Sequence, residues 1–167
     1  MKLIGAIIIL FVGLLQTSCG VYSLSEGRIP PEIKTVTVYD FGNTSLNASN
    51  IIAQKMTNQL KDRFLTQTNL KLVNIGGDIE FKGVITAYEI RGNAPTANQT
   101  TALNRLTITV KVEFTNNTNE QGNYSENFSR FAEYESSRNL IEVEESLQNQ
   151  IFAQLVEDIY NKALVNW

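Results

Sequence analysis

No histidine occurs in the 167 residues, and there is one cysteine. The first absence removes the commonest general base and the commonest metal ligand, so Ser-His-Asp hydrolysis and histidine-based metal chemistry are excluded at the level of composition. The second leaves no internal disulfide, so stability has to come from packing. An excess of basic residues is also missing. Lys and Arg number 14 against 17 Asp and Glu, a formal charge of −3, which argues against nucleic acid as a partner because such binders carry a basic footprint. No apolar run reaches the roughly 20 residues needed to span a bilayer. No internal repeat is visible, and no cofactor or metal is implied.

What is present begins at the N-terminus. Met1-Lys2 is followed by an almost wholly apolar stretch from Leu3 to Leu15, then Gln16-Thr17-Ser18-Cys19-Gly20. A charged start, an apolar core and small residues before a cut describe an export signal. The lone Cys19 directly after that cut resembles the bacterial lipoprotein signal, although Gln16 stands where an aliphatic residue is usual. The expected organisation is a signal peptide over 1–18, an acylated tether over 19–31 and a single domain over 32–167. Several acyl chains bury enough methylenes, at about 0.8 kcal/mol each, to hold a protein on a membrane without any greasy face on the domain.

Within the domain, Ile33 to Phe41 (IKTVTVYDF) is rich in β-branched and aromatic residues and reads as a strand. Ile52, Met56, Leu60 and Phe64 recur every fourth residue, which predicts an amphipathic helix over about 49–67. Leu70 to Val73 is a short extended piece, and Gly76-Gly77 a turn. From Asp78 to Arg91 the pattern alternates. Ile79, Phe81, Ile85 and Ala87 share one parity, with Glu80, Lys82, Thr86 and Tyr88 on the other. Gly83 in mid-strand signals a bulge or a close backbone approach. Leu106, Ile108, Val110, Val112 and Phe114 alternate with Thr107, Thr109, Lys111 and Glu113, the pattern of a strand with one buried and one wet face. Tyr124 to Tyr134 is a further strand whose faces are ambiguous, because Phe128 and Phe131 have opposite parity. Val143, Leu147, Ile151, Leu155 and Ile159 form the ladder of a long last helix over about 139–165.

The order strand–helix–strand–strand–strand–helix gives an α+β two-layer sandwich. Both helices are expected on one face of a four-stranded mixed sheet, because each helix has one apolar stripe to bury and the strands share one apolar face.

Four segments carry a resemblance: IPPEIKTVTVYDF at 29–41, ALNRLTITVKVEF at 102–114, FSRFAEYESSRNL at 128–140 and QLVEDIYNKALVNW at 154–167. They resemble the lipopolysaccharide-assembly lipoproteins of the LptE-like family, in particular the branch found in Bacteroidota. The resemblance implies a non-enzymatic outer-membrane lipoprotein that is lipid-anchored and faces the periplasm. It also implies that the protein plugs and helps assemble an LptD-like β-barrel inserting lipopolysaccharide into the outer leaflet, and that it can bind lipopolysaccharide itself. Of the family's functional residues, the acylated Cys19 is the position that carries over. A different envelope role, as a scaffold or binding lipoprotein of another secretion or assembly machine, shares the anchor and the fold but not the partner.

Beside Cys19, the candidate site residues are Lys82, Arg105, Lys111 and Arg130. They come from successive strands, and on a shared wet face they would form a basic patch for lipid phosphates. The plainer alternative is a mixed surface in which Glu80 and Glu113 neutralise them. The polar loops 92–101 and 116–123 are long enough to reach into a barrel lumen or to be simple connections. Trp167 is expected to anchor the last helix or to touch a partner. Glu142, Glu144 and Glu145 sit at a helix start, where carboxylates favour the dipole rather than forming a hydrolytic pair.

Overall fold

The computed structural model describes residues 29–93, 102–120 and 122–165. The elements in chain order are β1 (Thr35–Val38), β2 (Gly42–Asn43), α1 (Asn50–Gln67), β3 (Lys71–Leu72), β4 (Ile79–Asn93), β5 (Leu103–Asn116), β6 (Tyr124–Glu135) and α2 (Leu140–Val165). They make one six-stranded sheet in the order β3-β1-β4-β5-β6, with β2 on β4. Both helices lie on one face, so the α+β sandwich holds. The sheet has six strands rather than four, for two reasons. The Leu70–Val73 piece joins as β3, and the strand expected over 33–41 breaks off after Val38, while Gly42-Asn43, just beyond it, pairs with β4 as β2.

That break has a local cause. β1 and β2 both run parallel to β4, with Val36 to Val38 opposite Ile79 to Phe81 and Gly42-Asn43 opposite Val84-Ile85. Between them the backbone leaves the ladder, and the Phe41 N–H donates instead to Thr57 Oγ1 of α1 at 2.9 Å. Thr57 in turn donates to Ala53 O at 2.9 Å, so a buried hydroxyl is satisfied on both sides. The Phe41 ring then lies over Gly83, where any Cβ would run into it. Gly83 is therefore a close approach and not a bulge.

The bulge lies one turn of the pleat further on. Ile85 faces Val110 but Ala87 faces Thr109, so Thr86 is the extra residue. Every side chain after it changes face. Tyr88, expected on the wet side, is buried at 3 % exposure, and Ala87 leaves the core. Strand β5 keeps its alternation throughout, with Leu106, Ile108, Val110 and Val112 fully buried.

α1 buries Ile52, Ala53, Met56, Leu60 and Phe64, and α2 buries the Val143, Leu147, Ile151, Leu155 and Ile159 ladder. A run of tilted and stacked rings crosses the layer boundary. Phe64 meets Phe81 at 5.0 Å and Tyr160 at 5.3 Å, Phe81 meets Phe114 at 5.1 Å, and Phe114 meets Tyr124 at 5.2 Å between centroids. These distances suit edge and offset packing and bind both helices to three strands. The helices are also joined by the Arg63–Glu157 ion pair and by Lys55–Glu145 at 3.2 Å. Among the described residues no helix is long and apolar enough to cross a membrane.

One end of the sheet is locked by a carboxylate. Asp78 Oδ2 accepts from Lys34 N at 2.8 Å, Thr35 N at 2.9 Å and Thr35 Oγ1 at 2.8 Å. The Asp78 N–H donates back to Thr35 Oγ1 at 2.9 Å.

Candidate functional site

The face of the sheet without helices is the candidate site, and the registers state which side chains share it. Across β4, β5 and β6 the outward rows are Lys82, Glu113 and Ser125; then Val84, Lys111 and Asn127; and beyond the bulge Arg91, Arg105 and Glu133. The polar alternation of β5 makes this face hydrophilic, as the sequence predicts for Thr107, Thr109, Lys111 and Glu113.

Lys82 and Lys111 come together. Both border a shallow concavity of about 410 Å³ whose floor is Val84 with the backbone at Gly42 and Gly83. Tyr39 forms one wall, its ring 5.2 Å from the Lys82 ammonium. Burial first, then the adjacent Glu80 carboxylate, raise the Tyr39 phenol above its ordinary value, so it stays protonated. Glu113 stands opposite Lys82 and 3.8 Å from Lys111. Asp40, also on the rim, is engaged by Lys61 at 3.1 Å. Two ammonium groups over a small apolar floor suit the phosphate and nearby carbon chain of a phosphorylated amphiphile, with lysine acting as a mobile point charge.

Arg105 lies farther along the same face. Its Nε and Nη2 donate to Glu133 Oε1 at 3.0 and 2.7 Å, and its guanidinium stacks 3.9 Å from the Phe131 ring. The like-charged Arg91 stands directly opposite. That repulsion is offset by Glu133 and by Glu89, which Arg91 Nη2 reaches at 2.7 Å.

Arg130 does not join them. It pairs with Ile108, a core position, and so points to the helix layer. There its Nε and Nη2 meet Asp158 of α2 at 2.5 and 2.6 Å. The hydrogen bonds and charge of Asp158 raise the already high pKa of Arg130. The four cations are therefore not one patch. Two share a concavity, one is stacked and paired some distance away, and one braces the other face. Cys19, Trp167 and most of the loop 92–101 lie outside the described residues.

Tyr39 and Val84 are lining residues that the sequence pattern did not single out, because the bend after Val38 that brings Tyr39 over Lys82 leaves no periodic trace. On the inner face, Tyr88 forms a buried polar group with α2. Its hydroxyl bonds Glu144 and accepts from Gln148 Nε2 at 3.2 Å. Burial above all raises its pKa well beyond the ordinary phenol value. Among the described residues no group of three acidic, histidine or cysteine side chains could hold a metal.

The model of the lipopolysaccharide-assembly family LptE matches residues 33–163. The chain belongs to the LptE family. That membership sets its function at the level of lipopolysaccharide assembly, in a family of non-enzymatic envelope lipoproteins. Solved structures share the fold. A minor lipoprotein from Acinetobacter baumannii has a TM-score of 0.52 at 14% identity, covering 79% of this chain and 94% of that one. The hypothetical protein CT253 from Chlamydia trachomatis gives 0.53 at 8% identity, covering 80% and 99%. The uncharacterized lipoprotein B from Nitrosomonas europaea gives 0.50 at 16% identity, covering 79% and 84%. At these identities the likeness is one of fold. No curated protein is matched by the sequence.

Proposed function

We propose that this LptE-family protein is an outer-membrane lipoprotein, held by acyl groups on Cys19 in the periplasm-facing leaflet. In this reading it sits inside and helps assemble the LptD-type β-barrel that inserts lipopolysaccharide into the outer leaflet. The observation that carries the reading is the family match across residues 33–163, which spans every element from β1 into α2. The apolar run from Leu3 to Leu15, followed after Gln16-Thr17-Ser18 by the lone Cys19, supports the anchor. A folded body on a tether suits a plug that is carried to the membrane by lipid and to the barrel by its polar face.

Within this reading Lys82 and Lys111 contact a lipopolysaccharide phosphate, with Val84 under the adjoining carbon chain. Arg105 contributes only when a phosphate displaces Glu133, and Arg130 only if its Asp158 pair opens. The decisive experiment is affinity capture of the full lipidated chain from detergent-solubilised envelopes. Co-purification of a large β-barrel of the lipopolysaccharide translocon is the expected result. Recovery of secretion-pore components instead would assign the protein to another envelope machine.

A further inference from the structure

The sheet ends in a long strand, β6, which α2 packs against on one face and which has one free edge among the described residues. Strand β6 has 12 residues and pairs with β5 alone; among the described residues its other edge has no neighbour. The direction of its free peptide groups follows from one bond. Ser136 N donates to Ala102 O at 3.0 Å. In an antiparallel ladder bonded pairs alternate with non-bonded ones, so in the observed register even-numbered residues of β6 bond to β5. Ser125, Asn127, Ser129, Phe131, Glu133 and Glu135 then aim their N–H and C=O groups outward.

Edges of this length are normally guarded by prolines, bulges or projecting charges. Here the β5–β6 register runs unbroken from Phe114 opposite Tyr124 to Leu103 opposite Glu135, and the strand contains no proline. Three of its four charges are folded back onto the molecule. Glu126 takes Lys162 at 3.0 Å, Arg130 takes Asp158, and Glu133 takes Arg105. The edge also has receptacles beside it. Two hollows, of about 730 and 420 Å³, lie along the seam between β6 and α2, the first bordered by Tyr134, Glu135, Glu142 and Gln150, the second by Arg130, Gln154 and Asp158. A row of peptide groups flanked by side-chain hollows is the arrangement by which sheets accept an added strand.

We propose that the open edge of β6 is a strand-addition site. It takes an extended segment of a partner protein, with a basic side chain at the position that meets the Glu135–Glu142 hollow. The charge selects that residue. Glu135 and Glu142 both border this hollow, where Arg138 is the one basic lining residue, and among the described residues none of the three forms an ion pair. The outward face of the added strand would continue the hydroxyl-rich row of Ser125 and Ser129. The inference does not depend on which barrel the protein serves.

The test uses the full chain in detergent micelles and an eight-residue peptide alternating lysine and threonine. Expected are saturable binding, slowed hydrogen exchange at the six outward amides of β6, and at least tenfold weaker binding to Asn127→Pro. That variant removes one outward N–H and leaves the β5 ladder intact, since proline is tolerated on the free side of an edge strand. The same peptide N-methylated at alternate residues should also fail to bind, which keeps the test valid should Asn127→Pro misfold. Binding that survives N-methylation would be charge adsorption and would overturn the proposal. So would no binding at millimolar peptide, or light scattering that shows two copies joined through β6.

Discussion

At Gly83 a hydrogen atom in place of a methyl group sets how closely the β1–β2 bend can lie on β4. The Phe41 ring occupies the space of the missing Cβ, and Phe41 is itself fixed by Thr57 on α1. Gly83→Ala should therefore lower stability by about 1–3 kcal/mol, the usual cost of overpacking, read from urea denaturation. An unchanged midpoint would mean that the ring can swing aside. Asp78 gives a second prediction. Its carboxyl pKa is lowered, chiefly by the Lys34 N–H bond and the Thr35 hydroxyl. A carboxylate with a folded value below its unfolded one stabilises the fold above the ordinary carboxylate range and ceases to do so as pH falls through the folded value. Asp78→Asn should thus cost roughly 1–3 kcal/mol at pH 7, and the gap to the parent should begin to narrow only as the pH falls below about 4. Parallel denaturation curves at pH 7 and pH 3 decide it. For the concavity, Lys82→Glu with Lys111→Glu should weaken binding of phosphorylated lipopolysaccharide at least tenfold while leaving the fold intact. Equal binding would remove these two lysines from the lipid site. Arg130→Ala, by contrast, loosens the α2 brace at Asp158 and is read in the melting temperature.

At the scale of elements, the helices and β5 were legible because each repeats one rule without interruption. The fourfold spacing of Ile52, Met56, Leu60 and Phe64 and the twofold spacing of Leu106 to Phe114 survive into the structure unchanged. Where an element changes rule midway, the pattern misleads. Thr86 is an ordinary strand residue, and nothing in its chemistry marks it as the extra one, so the exchange of Ala87 and Tyr88 between faces could not be read. Phe128 and Phe131 conflict in parity because one packs inward and the other lies under Arg105 on the outside; an aromatic needs only a partner, not a core. The same ambiguity concealed the turning of Arg130 toward the helices. Leu147 and Ile151 provide the element-scale prediction. They are 6 % and 0 % exposed, so an aspartate at either position places an unpaired charge in the core. The expected loss is on the order of 4–5 kcal/mol, a large part of a domain's total stability. Circular dichroism should show α2 unravelled, and a parent-like melt would refute its packing on the sheet.

For the whole molecule, the proposed anchor at Cys19 lies outside the two-layer body and is tested separately from it. Cys19→Ser should give a protein that folds as the parent does but moves from the membrane to the soluble fraction. Unchanged membrane retention would assign the anchoring to the apolar run 3–15 rather than to acyl chains. The polar face and the open edge of β6 point in different directions from the core, so the proposed strand addition does not compete with the proposed contacts on the polar face.

The position of β1 between β3 and β4 has a consequence for how the protein comes into being. Its neighbours on both sides arrive later in the chain, about 35 and 45 residues on, whereas β4, β5 and β6 form a meander of near neighbours. Distant pairings cost more loop entropy and close more slowly. A polypeptide emerging N-terminus first therefore releases the buried segment Val36 to Val38 well before its partner strands exist. Delaying synthesis between residues 40 and 80 lengthens that interval and should raise the share lost to aggregation.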